Sequence, residues 1–175
     1  MKKSILSLCL LLVVATVTNA APRFGIIGEQ ESGLGAFVTD DMYNFQLTVG
    51  QATTDFSFAN LTAASATQTE ESLTKISVGA NYKIALDSVT SLTAGVSASF
   101  YSGYSFLNSS IYTAELDSAT KVAVNMGFER ALSSNIVLTT QASAYTSTNA
   151  KFKSGTEVKS TSLFSNGRVG VAYLF

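Results

Sequence analysis

Hydrophobic and polar residues alternate along three stretches of the chain. In the first stretch, 75–86, the even positions are apolar and the positions between them are mostly polar or small. Stretches 92–101 and 121–129 repeat this pattern. A period of two is that of a β-strand, whose successive side chains point to opposite faces. The pattern therefore predicts strands with one apolar and one polar face. Each is long enough to cross a bilayer at a tilt, which takes about 9–11 residues.

The connections between the predicted strands alternate between short and long. The short ones are 39–44, 86–91 and 130–135, and the longer polar ones are 60–72, 103–118 and 147–159. Short turns at one end and longer loops at the other are typical of membrane-spanning barrels. The order of turns predicts eight antiparallel strands, over 22–30, 33–39, 44–59, 73–86, 91–103, 119–130, 135–147 and 161–175.

Two parts of this strand count stay open. The segments 23–30 and 33–39 are short and rich in glycine, so they could form one bulged strand instead of two. Within 44–59, Phe45, Leu47 and Val49 share one face, and Phe56 and Phe58 fall on the other unless a bulge near Gly50 and Gln51 resets the register. An odd number of strands would leave the two chain termini on opposite sides of the membrane.

Closure of the sheet follows from the cost of an open edge. In hydrocarbon, each unpaired backbone group at such an edge costs several kcal/mol. We therefore expect 23–30 to pair with 161–175, which gives an all-β, antiparallel, up-and-down transmembrane barrel. Apolar residues fill the predicted outward positions, and charges fall in turns, in loops or on the inward face. The alternative is a soluble periplasmic sandwich that ends in a strand.

The C-terminal strand carries a family resemblance. Its alternating residues Val169, Val171, Tyr173 and the terminal Phe175 share one face. This resembles the assembly signal at the C-terminus of bacterial outer-membrane barrels, and the chain resembles the small and porin-like members of that family in architecture. The resemblance implies the outer membrane of a Gram-negative bacterium, with its lipid and lipopolysaccharide as surroundings. It also implies the barrel assembly machinery and periplasmic chaperones as partners.

The N-terminus resembles a cleaved signal peptide. Lys2 and Lys3 precede an apolar run over 5–17, and small residues lead to Ala20. We predict a signal peptide over 1–20 and a barrel domain over 21–175. The alternative, an uncleaved anchor, would need about 20 apolar residues, and this run is shorter. The chain's single cysteine, Cys9, lies within the predicted signal peptide.

Composition argues against several functions. Without Lys2 and Lys3, nine basic residues face twelve acidic ones, a net charge of about −3, so no basic stripe is available for nucleic acid. The chain has no histidine, whereas the enzymes of the resembled family depend on a histidine base. No Cys/His cluster suits a transition metal and no phosphate-binding motif is present. We therefore expect neither an enzyme nor a cofactor.

Several charged residues are predicted to point into the barrel. Lys83, Glu129 and Arg168 have inward parity, beside polar residues such as Asn125 and Tyr145. An eight-stranded barrel is filled by side chains, and buried charges must be paired. We expect Glu129 to contact a cation, with Lys83 and Arg168 as the candidates. This polar cluster is either structural or part of an ion-conducting lumen.

The loop 103–118 carries apolar residues outside the predicted membrane. The candidate surface contacts in this loop are Tyr104, Phe106, Ile111 and Tyr112. They favour a structural or adhesion-like role with a host or surface ligand as partner. Alternatively, the strands that flank this loop extend above the bilayer and pair there. The second functional hypothesis is a small porin or diffusion channel, and the third is an accessory barrel for assembly or lipid binding.

Overall fold

The structure, a computed structural model, describes residues 21–30, 32–52, 67–69, 73–102, 106–108, 113–153, 155 and 157–175. The predicted signal peptide, 1–20, lies outside these residues. No helix in the described part of the chain is long and apolar enough to span a membrane. Its strands are β1 (Arg23–Glu29), β2 (Gly33–Thr39), β3 (Tyr43–Ala52), β4 (Thr67–Thr69), β5 (Leu73–Ala85), β6 (Thr90–Ser102), β7 (Phe106–Asn108), β8 (Thr113–Ala131), β9 (Ile136–Phe152) and β10 (Glu157–Leu174).

Eight of these strands form a closed antiparallel barrel. The wall runs β1-β2-β3-β5-β6-β8-β9-β10, and each strand pairs with the next. β1 and β10 close it, from Gly25 opposite Leu174 to Glu29 opposite Gly170. The predicted eight-stranded barrel is therefore confirmed, and the segments 23–29 and 33–39 are two separate strands.

The third strand differs from the prediction. β3 pairs with β5 in continuous register from Tyr43 opposite Tyr82 to Ala52 opposite Leu73. Of the two possibilities left open for this segment, the bulge near Gly50 and Gln51 is therefore absent, and β3 ends at Ala52. The predicted continuation, 53–59, lies outside the described residues.

The outer surface of the barrel is an apolar band. Among the described residues, every exposed charged residue of a wall strand lies within the five residues at one end of that strand; these residues are Arg23, Asp117, Arg130, Lys151, Glu157 and Lys159. A lysine at the lipid midplane would cost about 2–4 kcal/mol, so this distribution is the one that a membrane requires. Exposed apolar side chains of the band include Ile26, Leu47, Val49, Ile76, Val78, Ile84, Val96, Phe100, Val122, Val124, Met126, Phe128, Val169 and Val171.

One end of the barrel, here the turn end, holds the short connections β2–β3, β5–β6 and β8–β9 and both ends of the described chain. Asp40 and Asp87 each accept two backbone N–H bonds through Oδ1, at 2.7–2.8 Å. Ser133 does the same through Oγ, at 3.1–3.3 Å. Such side chains favour tight turns because they pair backbone groups that the turn leaves open. The opposite end is the loop end.

Part of the interior near the turn end is apolar, whereas the alternation predicted polar residues on the inward face. Gly25 lies beside this cluster and against the neighbouring strand, because a Cβ there would clash with the Tyr173 carbonyl oxygen and would be 2.8 Å from Leu174 Cδ2. Side chains from β1, β2, β9 and β10 fill that part of the interior and exclude water. These buried residues are Ile27, Phe37, Val137, Ala172 and Leu174.

A bulge in β9 changes the direction of Tyr145. Val124 lies opposite Tyr145, but the next residue of β8, Asn125, lies opposite Ser143, so Ala144 is the extra residue. Tyr145 is 41% exposed. The predicted inward direction of Tyr145 is wrong because one added residue reverses the alternation.

Candidate functional site

The interior beside the apolar cluster holds a tight ion pair. Lys83 Nζ on β5 lies 2.5 Å from Glu129 Oε1 on β8, and both side chains are 8% exposed. The same ammonium donates to Thr39 Oγ1 at 2.9 Å and to the Asp40 carbonyl at 2.6 Å. Because its three protons have three acceptors, the buried lysine loses little of the hydrogen bonding that water would give.

The second carboxylate oxygen of Glu129 also accepts a hydrogen bond. Asn44 Nδ2 on β3 donates to Glu129 Oε2 at 2.6 Å, and Asn81 Nδ2 donates to Asn44 Oδ1 at 2.7 Å. β2, β3, β5 and β8 thus contribute to one buried network across the interior. Asn44 was not identified from the sequence as a partner of Glu129, since only the fold brings β3 and β8 across the barrel from each other.

Arg168 belongs to a second network. Of the two cations considered for Glu129, only Lys83 lies beside it. Arg168 Nη1 lies 3.5 Å from Glu29 Oε2 on β1, and Glu29 Oε1 accepts from Gln46 Nε2 at 3.4 Å. Glu29 was missed in the sequence because both faces of β1 carry apolar residues, so its inward parity was not evident.

The other contacts of Arg168 are also long. Nη1 donates to Ser32 Oγ, and Nη2 donates to Ser97 Oγ and Asn125 Oδ1, each at 3.4 Å. Charge-assisted hydrogen bonds are ordinarily about 2.7–2.9 Å. The guanidinium is therefore held less closely than the ammonium of Lys83.

A small cavity adjoins Arg168, towards the loop end. Its volume is about 10 Å³, room for about one water molecule. The lining residues are Lys75, Ser97, Ser99, Lys121, Ala123, Ser143 and Arg168. Sequence reasoning did not single out Lys121, although its parity places it on the inward face of β8.

The predicted assembly-signal residues share one outward face of β10. Val169, Val171, Tyr173 and Phe175 are all exposed, and the rings of Tyr173 and Phe175 meet edge to face with centroids 6.0 Å apart. The backbone N–H of Phe175 donates to the Phe24 carbonyl at 2.9 Å. The last residue therefore lies at the β1–β10 seam, at the turn end.

Most of the candidate surface contacts fall outside the described residues. These are Tyr104, Ile111 and Tyr112. Phe106 begins β7, which pairs with β8 on one side and β4 on the other. Two interpretations were left open for this loop, apolar surface contacts and strand pairing above the bilayer. Strand pairing is present over 106–108.

The fold and the polarity of its two faces define a small eight-stranded transmembrane β-barrel of the outer-membrane type. In the part of the chain that the structure describes, no group of three or more acidic, Cys or His residues could hold a metal ion.

The chain is similar in fold to solved outer-membrane proteins. Neisserial surface protein A is 17% identical, with 88% of this chain and 94% of that one covered and a TM-score of 0.49. The attachment invasion locus protein Ail of Yersinia pestis is 16% identical over 90% and 100%, with a TM-score of 0.44. CarO of Acinetobacter baumannii is 10% identical over 87% and 97%, with a TM-score of 0.37. Neither a protein-family model nor a curated protein sequence matches this chain.

Proposed function

We propose that this barrel lies in a bacterial outer membrane and acts as a structural and surface-interaction protein through its loop end. The turn end then faces the periplasm and the loop end faces the outside, as in other outer-membrane barrels. The observation that carries the proposal is the excess length of β8, β9 and β10, which extends the wall beyond the membrane on the loop side.

The excess length follows from the strand lengths. β8, β9 and β10 contain 19, 17 and 18 residues. A tilted strand crosses the bilayer in about 9–11 residues, which leaves roughly six to ten residues of each strand outside. β7 and β4 add to the β8 side of this extension. The resulting outer sheet is a surface on which a host or surface ligand can dock.

The outer part of β10 is a candidate edge for such docking. Among the described residues, β1 pairs with β10 only over 170–174, with one further bond from Gln30 N–H to the Val169 carbonyl. β9 pairs with β10 up to Glu157. The described segment 157–168 thus has a backbone hydrogen-bond ladder only on its β9 side. Exposed strand edges of this kind accept an added strand from a partner.

The proposal includes the surroundings that the resemblance implied. Membrane lipid and lipopolysaccharide would contact the apolar band, and the barrel assembly machinery and periplasmic chaperones would recognise the outward face of Val169, Val171, Tyr173 and Phe175. We propose no enzymatic role and no nucleic-acid partner. The absence of histidine from the sequence supports the first of these two statements.

Deletion of 106–112 tests the interaction role. Bacteria that carry the deletion should adhere to host cells or surface ligands less than bacteria with the intact protein. A second variant combines Tyr104→Ser, Phe106→Ser, Ile111→Ser and Tyr112→Ser. Because it keeps the loop length, it distinguishes the effect of losing the apolar side chains from the effect of shortening the loop. Outer-membrane content and gel mobility of unheated protein serve as controls for assembly. Unchanged adhesion in both variants would contradict the role.

The second candidate function is a small diffusion channel. The polar cavity near the loop end favours it, but the apolar cluster and the Lys83–Glu129 pair fill the interior at the turn end. Conductance in planar bilayers distinguishes the two functions, with Glu129→Gln as the variant that loosens the pair. The interaction proposal expects no reproducible channels from either protein. Reproducible conductance that changes in the variant would favour the channel.

A further inference from the structure

The barrel wall has a step above the β1–β2 hairpin. β1 and β2 contain seven residues each, whereas a tilted strand takes about 9–11 residues to cross a bilayer. The end of this hairpin lies level with Val169, because the backbone N–H of Gln30 donates to the Val169 carbonyl. β10 continues beyond this level to Glu157. Among the described residues, no strand pairs with 157–168 on the side that faces β1.

The lower part of this open edge lies at membrane depth. A crossing of about 9–11 residues from Leu174, the last residue of β10, ends near Phe164. The segment 163–168 therefore faces the half of the bilayer nearer the loop end, where backbone groups need a hydrogen-bond partner. Such an edge favours an amphiphilic occupant, with polar groups beside an apolar part.

The apolar side chains around the step are unusually exposed. Leu34 on β2 is 74% exposed, and Leu163 and Phe164 on β10 are 70% and 83% exposed. The other exposed large apolar side chains of the described strands are at most 58% exposed. Val169 and Val171 continue the outward face of β10 towards the turn end, so this patch is continuous with the lipid-facing band.

A strained backbone conformation holds Phe164 outward. Leu163 pairs with Tyr145, so Phe164 falls opposite Ala144, the extra residue of β9. Phe164 has a φ of 50°, in the left-handed region that residues other than glycine seldom adopt. Because the alternation is broken here, two adjacent apolar side chains face outward together. Strain of this kind is frequent at ligand-binding positions.

A lysine lies on the loop side of this patch. Lys159 is exposed and shares its parity with Leu163, four residues further along β10. Its long side chain can extend along the apolar surface and keep the ammonium at the lipid headgroups. Lys151 on β9 is a diagonal neighbour, since Lys159 pairs with Asn149, but Lys151 itself lies opposite Glu157. Lys159 is therefore the cation that best fits a phosphate above the patch.

We propose that the step is a binding site for one phosphate-bearing lipid of the outer leaflet. Its acyl chain would lie against Leu163 and Phe164, its phosphate would contact Lys159, and its polar groups near the interface would pair with the backbone edge of 163–168. Continuity with the lipid-facing band favours a lipid over an added protein strand at this depth. The inference rests on the membrane placement in the proposed function and not on the surface-interaction role.

Tryptophan fluorescence tests the site, because the chain contains no tryptophan of its own. Phe164→Trp reports on the step, and Phe100→Trp is the matched control on β6. Each position lies ten residues from the turn-end residue of its strand, Leu174 for one and Thr90 for the other. Quenching by brominated phosphatidylglycerol and by brominated phosphatidylcholine is compared in mixed vesicles. Position 164 should prefer the anionic lipid about fivefold, as one lysine near the membrane surface predicts, and position 100 should show no preference.

Second substitutions identify the cation. Lys159→Met in the Phe164→Trp protein should abolish the preference, and Arg130→Met, which removes an exposed cation at the turn end, should keep it. Leu163→Trp replaces Phe164→Trp if that protein does not fold.

The outcomes separate the lipid site from the membrane placement. Equal quenching by both lipids at positions 164 and 100 would overturn the lipid site and leave the membrane placement intact. Weak quenching at position 164 alone would also overturn it, in favour of an added strand. Weak quenching at position 100 would contradict the membrane placement itself.

Discussion

At the residue scale, the two buried carboxylates among the described residues, Glu129 and Glu29, are held in different ways. Glu129 has short contacts to Lys83 and Asn44, whereas the contacts of Glu29 to Arg168 and Gln46 are at the long limit of hydrogen bonding. A buried ion pair adds little net stability, but removal of one partner leaves the other charge unpaired in a low-dielectric environment. The closer pair is therefore the one whose disruption should cost more.

Glu129→Gln should destabilise the barrel. The variant leaves Lys83 buried without a counter-ion, which costs about 3–5 kcal/mol in comparable pairs. The double variant Lys83→Met/Glu129→Leu removes both charges and should regain most of this loss. Urea unfolding in lipid vesicles measures both. A double variant as unstable as the single one would show that the charge pairing does not account for the effect.

Asp87 gives the turn between β5 and β6 a pH dependence. The backbone N–H of Val89, followed by that of Thr90, holds the pKa of this exposed carboxyl below its ordinary value of 3.8. Because the folded pKa is the lower one, the carboxylate stabilises the fold above the ordinary pKa. This contribution is lost as the pH falls through the lowered value.

Asp87→Ala should therefore lower the unfolding midpoint near neutral pH and lose this effect in acid. The difference between the variant and the parent protein should shrink as the pH falls from about 5 to about 2. Asp41→Ala, which removes an exposed carboxylate from the β2–β3 turn, is the matched control. A difference that stays constant over this range would contradict the assignment.

At the element scale, the sequence predicted the strands best where lipid constrains them. β5 and β6 follow the predicted ranges closely, because alternation there continues through the whole membrane crossing. β8, β9 and β10 were predicted too short, since polar and charged residues are frequent in their outer parts and these parts were therefore interpreted as loops. Neither the bulge at Ala144 nor the pairing of Glu29 with Arg168 leaves a local signal, because both depend on the register between distant strands.

Lysine at an outward mid-strand position tests the membrane-facing band. Val96 on β6 and Leu132 in the β8–β9 turn are similarly exposed, at 54% and 57%. Val96→Lys should cost about 2–4 kcal/mol in a bilayer, because the charge would lie in hydrocarbon. Leu132→Lys should change stability by at most about 0.5 kcal/mol. Equal costs in lipid vesicles would mean that the band does not face lipid.

At the scale of the whole molecule, the barrel combines an apolar outside with a filled inside. The turn end is occupied by an apolar cluster next to the Lys83–Glu129 network, and the cavity lined by Lys75, Lys121 and Arg168 lies nearer the loop end. Because side chains fill the interior at the turn end, we propose that the outer sheet is the surface that contacts partners. All of this depends on closure, since an open seam would expose a row of backbone groups to lipid.

Amide hydrogen exchange at the β1–β10 seam tests closure most directly. In lipid vesicles or nanodiscs, backbone N–H groups of 25–29 and 170–174 should exchange as slowly as those of the β5–β6 pair, because ladders protect both. Rapid exchange along both seam segments, with β5 and β6 still protected, would show an open sheet and contradict the barrel.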